Sequence, residues 1–171
     1  MSLPSQHKDP VRQEARFLLE DSLYSFKAHF NSADTWRWRH GALGIPTVAL
    51  GAIVTGVAAG GLPAILLGSI SAVEMVLVAV LTWWKPAARA EASSNAGHDL
   101  QAFHEDLRQW MKLDLPHHAP ETATRELKEW TKKKQSFNKR APPFTRGAYE
   151  LAKKGIEAGE AEHNLAETEA I

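Results

Sequence analysis

The most distinct pattern in the chain is an apolar stretch from Gly41 to Trp84, in which Glu74 is the only ionisable side chain. A helix needs about 20 largely apolar residues to cross a bilayer. The stretch therefore predicts two spans, at about 41–60 and 63–84, joined by a tight turn. A buried hairpin of a soluble protein normally shows a polar face, whereas this stretch carries only scattered Thr, Ser and one Glu. We predict an all-α membrane protein built on a two-helix transmembrane hairpin.

An amphipathic segment, residues 1–40, precedes the hairpin. Its apolar positions recur at spacings of three and four, as on one face of a helix, and they are Leu19, Leu23, Phe26, Phe30 and Ala33. Nothing between Val11 and Gly41 forces a break. We therefore expect the N-terminal helix to be continuous with the first span.

A helical region, 85–156, follows the hairpin and is expected to form a cytoplasmic bundle with the N-terminal helix. Two stripes have helical spacing: Ala96, Leu100, Phe103, Leu107 and Trp110, and then Ala123, Leu127, Trp130 and Phe137. The Ala141-Pro142-Pro143 sequence ends the second of these helices, and a short helix is expected near 144–156. Residues 157–171 are acidic and lack apolar periodicity, which predicts a flexible tail.

Charge adds a topology to this picture. Basic residues stand before the first span and after the second, and the connecting loop has none, so both termini are expected in the cytoplasm. Aromatic residues flank both spans, where indoles favour the headgroup layer, although ordinary helix packing is the alternative. The predicted interface anchors are Trp36, Arg37, Trp38, Arg39, Trp83, Trp84 and Lys85.

Glu74 is the sharpest candidate for function, because an ionisable group deep in a span is costly and faces protein or water. On a helix it shares a face with Ser71. In an oligomer, Glu74 could form a carboxylate ring that attracts cations. The alternative is a protonated Glu hydrogen-bonded between helices.

A ridge of small residues, Ala52, Gly56 and Gly60, follows the first span at intervals of four. Such ridges allow close helix approach in membranes. The partner is either the second span of the same chain or another subunit.

The rest of the chain carries no recognisable chemistry. Eight histidines lack the i, i+4 spacing of a helical metal motif, there is no cysteine, and no serine lies in an activating motif. The basic cluster Lys132, Lys133 and Lys134 suits anionic headgroups or solvent, and no base-stacking motif accompanies it. We expect a non-enzyme without catalytic residues, metal, cofactor or nucleic-acid partner.

The layout resembles the SLATT family of two-transmembrane effector domains from bacterial conflict systems. The resemblance covers most of the chain. It rests on Ala33 and Trp36, the Gly-rich first span, a short turn and the end of the second span at Lys85-Pro86. Further along, it rests on Arg89, Ala90, Ala96, Gly97 and the Ala141-Pro142-Pro143 break. It implies a pore-forming or membrane-disrupting antiphage effector in the bacterial inner membrane. It also implies that a separate sensor or signal-producing protein triggers the effector.

Two functions are therefore open from the sequence. One is a homo-oligomeric pore effector, and the other is a non-conducting membrane anchor that recruits a partner through its cytoplasmic helices.

Overall fold

The computed structural model describes residues 5–58 and 63–160, and within these residues the protein is all-helical. Its helices are α1 (Ser5–Ala58), α2 (Ala64–Trp84), α3 (Pro86–Gln109), α4 (Pro120–Arg140) and α5 (Arg146–Glu157). A π-helical turn, Trp110–Asp114, follows α3. The all-α class predicted from the sequence is confirmed.

α1 is a single helix of 54 residues. It continues from the amphipathic segment into the apolar stretch without a break, as the sequence predicts. Pro46 lies inside it, where its ring removes one backbone hydrogen bond and the helix nevertheless continues.

The described residues form two compact units. The first, called here the bundle, combines α1 up to Ser32 with the chain from Ala92 onward. The second, called here the hairpin, runs from Ala33 to Glu91 and contains the rest of α1, all of α2 and the first turn of α3.

The bundle is held together by an apolar core from α1, α3 and α4. The predicted α3 stripe is buried, with Leu100, Phe103 and Leu107 almost fully inaccessible. Phe103 packs edge-on against Trp130 of α4, with ring centroids 5.7 Å apart, and edge-to-face pairs add to the stability gained from burial alone. Gly97 allows a close approach, since a Cβ there would lie 2.8 Å from the Phe30 ring.

The buried face of α1 differs from the predicted stripe. Of the predicted stripe, Ala33 is fully buried, whereas Leu19, Leu23, Phe26 and Phe30 are only half-buried. Apart from Val11 and Ala33, the buried positions in the described first part of α1 are small or polar, and they are Ala15, Ser22, Ala28, His29 and Ser32. Small side chains let neighbouring helices approach closely, and the larger residues then lie at the edges of the contact.

Local signals explain the ends of α4 and α5. Pro120 occupies the first turn of α4, where its missing N–H costs nothing. α4 ends at Arg140, at the break predicted from Ala141-Pro142-Pro143. The short helix expected near 144–156 is α5, and the Thr145 side chain caps it by accepting from the Ala148 N–H at 3.2 Å.

In the hairpin, α2 has no buried residue. Of the described residues, the helical run from Ala64 to Asp114 is the one long and apolar enough to cross a membrane, and none of its apolar window is buried in the protein. The last two residues of the predicted first span, 59 and Gly60, lie outside the described residues, as does the predicted turn at 61–62. The two-span arrangement accordingly stays a prediction.

Candidate functional site

Glu74 lies halfway along α2 and faces α1. A Cβ built on Gly51 would come within 2.7 Å of Glu74 Oε1, so the carboxyl group rests directly on the glycine backbone. Within residues 5–58 and 63–160, Glu74 has no hydrogen-bond or ion-pair partner. The structure thus places this carboxyl group at the contact between the two hairpin helices, where a Cβ on residue 51 would force the carboxyl group to move.

The face of α2 that carries Glu74 is distinct from the rest of the helix. Every third or fourth residue is half-buried, and these positions are Leu67, Ile70, Ser71, Glu74, Leu77, Val80 and Leu81. The intervening residues are exposed, as with Met75 and Val76. Ser71 therefore lies on the same inner face as Glu74, as predicted, one turn before it.

The small-residue ridge faces the other way. Ala52 and Gly56 are exposed, and a Cβ on Gly56 would meet nothing within 4 Å. α2 instead approaches α1 beside Gly51, one residue before Ala52. The described part of the ridge consequently lies exposed, outside the contact between α1 and α2.

The predicted interface anchors differ in their exposure and in their contacts. Trp38 and Trp83 are highly exposed, at 74% and 82%, which suits indoles in a headgroup layer. Arg37 pairs with Asp34 at 2.8 Å. Trp36 is different, because the guanidinium carbons of Arg39 and Arg89 lie 4.7 and 4.9 Å from its ring centroid.

Lys85 forms the junction between α2 and α3. It adopts a left-handed conformation (φ 46°), and its N–H bonds to the Leu81 carbonyl at 3.0 Å. Such a residue ends one helix without using a loop, and Pro86 then begins α3. The structure gives the predicted anchor Lys85 this second, structural role.

The bundle contains a polar cluster that sequence reasoning missed. His104 Nδ1 of α3 lies 3.0 Å from both Ser22 Oγ and the Leu19 carbonyl of α1. Burial lowers the pKa of His104, although the Leu19 carbonyl opposes that shift. The only sequence signal was the polar Ser22, which lies between the apolar stripe positions Leu19 and Leu23.

A second polar contact joins α1 to α4. The Lys134 ammonium pairs with the Asp21 carboxylate, and the Lys134 side chain is only 4% exposed. Burial lowers the pKa of Lys134 to about 8. One member of the predicted basic cluster is therefore structural, while Lys132 and Lys133 are exposed and pair with Glu129 and Asp106.

The surface of the bundle has an open groove of about 320 Å³ lined by Trp110, Glu126, Glu129, Trp130 and Lys133. Glu126 accepts from the Trp110 indole N–H at 2.6 Å, which fixes one wall. Throughout the described residues, no three His, Asp or Glu side chains come together to hold a metal ion.

A scan against protein-family models found no match, and neither the curated proteins nor the solved structures gave a significant one.

Proposed function

We propose that the protein is a membrane effector whose hairpin spans the bilayer twice and assembles into a homo-oligomeric pore. The observation that carries the proposal is Glu74, a carboxyl group without a polar partner among the described residues, halfway along an apolar helix. An ionisable residue at that depth is costly unless it faces water or another polar group.

Assembly would supply that environment. Two helices are too few to enclose a water path, so conduction requires several copies. Ala52 and Gly56 offer an open small-residue surface for a neighbouring subunit, where close backbone approach replaces lipid contact. A rotation of α2 that turns Glu74 and Ser71 away from α1 would bring them to a shared axis, where a ring of carboxylates favours cations.

The biological setting rests on the SLATT resemblance. In that setting the effector belongs to a bacterial antiphage system and resides in the inner membrane with both termini cytoplasmic. A separate sensor or signal-producing protein activates the effector. The active effector then arrests or kills the infected cell.

A non-conducting membrane anchor is the second candidate. It is favoured by the open groove beside the half-buried Trp130 and the buried Trp110, since Trp is enriched among the residues that dominate protein interfaces. This function needs the hairpin only for attachment.

Ion release from liposomes separates the two functions. Purified full-length protein is reconstituted, and potassium and dye efflux are followed for wild type, Glu74→Gln and the control Ser69→Ala. Ser69 lies exposed on α2 and bonds only to its own helix, at the Ile65 carbonyl. The pore predicts wild-type efflux and, in planar bilayers, a cation preference that Glu74→Gln reduces and Ser69→Ala leaves unchanged.

Absence of efflux at all protein-to-lipid ratios, including after addition of lysate from phage-infected cells, would favour the anchor. Efflux with an unaltered cation preference in Glu74→Gln would support a pore but remove Glu74 from its lining.

A further inference from the structure

Two guanidinium groups from different helices contact the indole ring of Trp36. Arg39 follows it by one turn on α1, and Arg89 comes from the first turn of α3. Their guanidinium carbons lie 4.7 and 4.9 Å from the centre of the same indole ring. Cation–π contacts of this kind hold the planar groups in place and leave their N–H donors available at the edges.

Among the described residues, these two arginines have no counter-charge. In the described parts of the chain, neither Arg39 nor Arg89 has a carboxylate partner, whereas Arg37 close by is paired with Asp34. Two like charges on one ring repel each other. An anion that accepts hydrogen bonds from both would relieve that repulsion, and phosphate oxygens match the guanidinium fork.

The local backbone adds to the positive potential. Arg89 lies in the first turn of the 24-residue α3, where the helix dipole favours negative charge. Lys85, whose backbone is left-handed, directly precedes α3 without an intervening loop. The positive charge of Lys85 therefore also lies at the N-terminal end of α3.

Position along the chain indicates the source of the anion. Arg39 stands two residues before the apolar stretch and Arg89 five residues after it. The exposed indoles Trp38 and Trp83 flank the same ends of the stretch, as expected at a headgroup layer.

We infer that Arg39 and Arg89, held on Trp36, form a binding site for a phosphate group, which an anionic phospholipid supplies. The inference rests on the proposed insertion of the hairpin into a bilayer. The site would fix the depth of the hairpin and make it sensitive to lipid composition.

The test is native mass spectrometry of the full-length protein released from nanodiscs of phosphatidylcholine and phosphatidylglycerol. Wild type is compared with Arg39→Gln/Arg89→Gln and with Arg39→Lys/Arg89→Lys. The matched control, Arg12→Gln/Arg16→Gln, removes two exposed arginines from the bundle part of α1. We expect wild type to retain phosphatidylglycerol selectively and the Gln pair to lose about fivefold for each arginine. The Lys pair should be intermediate because lysine lacks the fork.

An equal loss in the Arg12→Gln/Arg16→Gln control, or full retention by the Lys pair, would overturn the site in favour of general charge attraction. A parallel arm adds excess inorganic phosphate, and displacement of the lipid by bound phosphate would assign the site to a free anion instead.

Alkaline carbonate extraction of membranes containing the same proteins separates this inference from the proposed function. Wild type that remains in the membrane but shows no lipid preference overturns only the phosphate site. Wild type that is extracted overturns both.

Discussion

At the scale of single residues, His104 shows how a polar group is accommodated at a helix contact. Its Nδ1 lies 3.0 Å from the Leu19 carbonyl, and Ser22 Oγ donates to that same carbonyl at 2.6 Å. The imidazole ring also packs edge-on against Phe26, with centroids 5.6 Å apart. This arrangement suits a neutral imidazole, because burial penalises the charged form.

The pKa of His104 lies below its ordinary value of 6.5, chiefly because of burial, and burial also lowers the pKa of His29. The unfolded chain therefore binds more protons than the folded bundle below about pH 6.5, and the free energy of unfolding falls as the pH falls. We expect the thermal midpoint of the detergent-solubilised protein, measured by circular dichroism, to drop between about pH 7.5 and 5.5. His104→Gln should reduce the drop, and His29 should account for the remainder.

His117, exposed in the turn before α4, provides the control. His117→Gln should keep the wild-type pH dependence. A drop of the same size in His104→Gln as in wild type would contradict the assignment to His104.

At the scale of elements, periodicity predicted the existence and type of the helices better than their contacts. The three-and-four spacing in α3 gave the buried Leu100 and Phe103. In α1 the same rule selected Leu19 and Phe26, yet Ser22 is buried instead, because close helix approach depends on small size as well as apolarity. Long-range pairs such as Lys134 with Asp21 have no local signal in the sequence.

The two glycines Gly51 and Gly56 provide a matched test of the hairpin. Gly51→Leu should loosen the α1–α2 contact, because even a Cβ there lies 2.7 Å from Glu74 Oε1, and overpacking of this kind costs about 1–3 kcal/mol. Gly56→Leu should leave that contact intact, since the space beside Gly56 is open. Thermal denaturation in detergent measures the first effect, and chemical cross-linking in liposomes measures subunit association.

If the open ridge mediates assembly, Gly56→Leu lowers the cross-linked fraction, and the thermal midpoint of the monomer in detergent stays at the wild-type value. Equal destabilisation of the monomer by both substitutions would instead show that Gly56 also lies at the intrachain contact.

At the scale of the whole molecule, the sequence was most informative about class and least about the environment of Glu74. The sequence shows that Glu74 lies in an apolar stretch, but it does not show which surface of α1 Glu74 contacts. The pairing of two apolar helices depends on which small residue faces inward. Small-residue spacing selected Ala52 and Gly56 as a ridge without indicating its partner, and the contact of α1 with Glu74 of α2 lies at Gly51. Helix pairing in lipid is driven by packing, which sequence spacing specifies only loosely.

The predicted topology can be tested directly because the chain has no cysteine. Single cysteines are introduced at three exposed positions: Gln13 in α1, Pro63 immediately before α2, and Ser136 in α4. The absence of basic residues between the predicted spans predicts that Pro63 lies outside the cell and the other two positions inside. A membrane-impermeant maleimide should therefore label Pro63→Cys in intact bacterial spheroplasts, and Gln13→Cys and Ser136→Cys only after permeabilisation. Labelling of all three without permeabilisation would contradict a two-span hairpin, and the reverse pattern would invert its orientation.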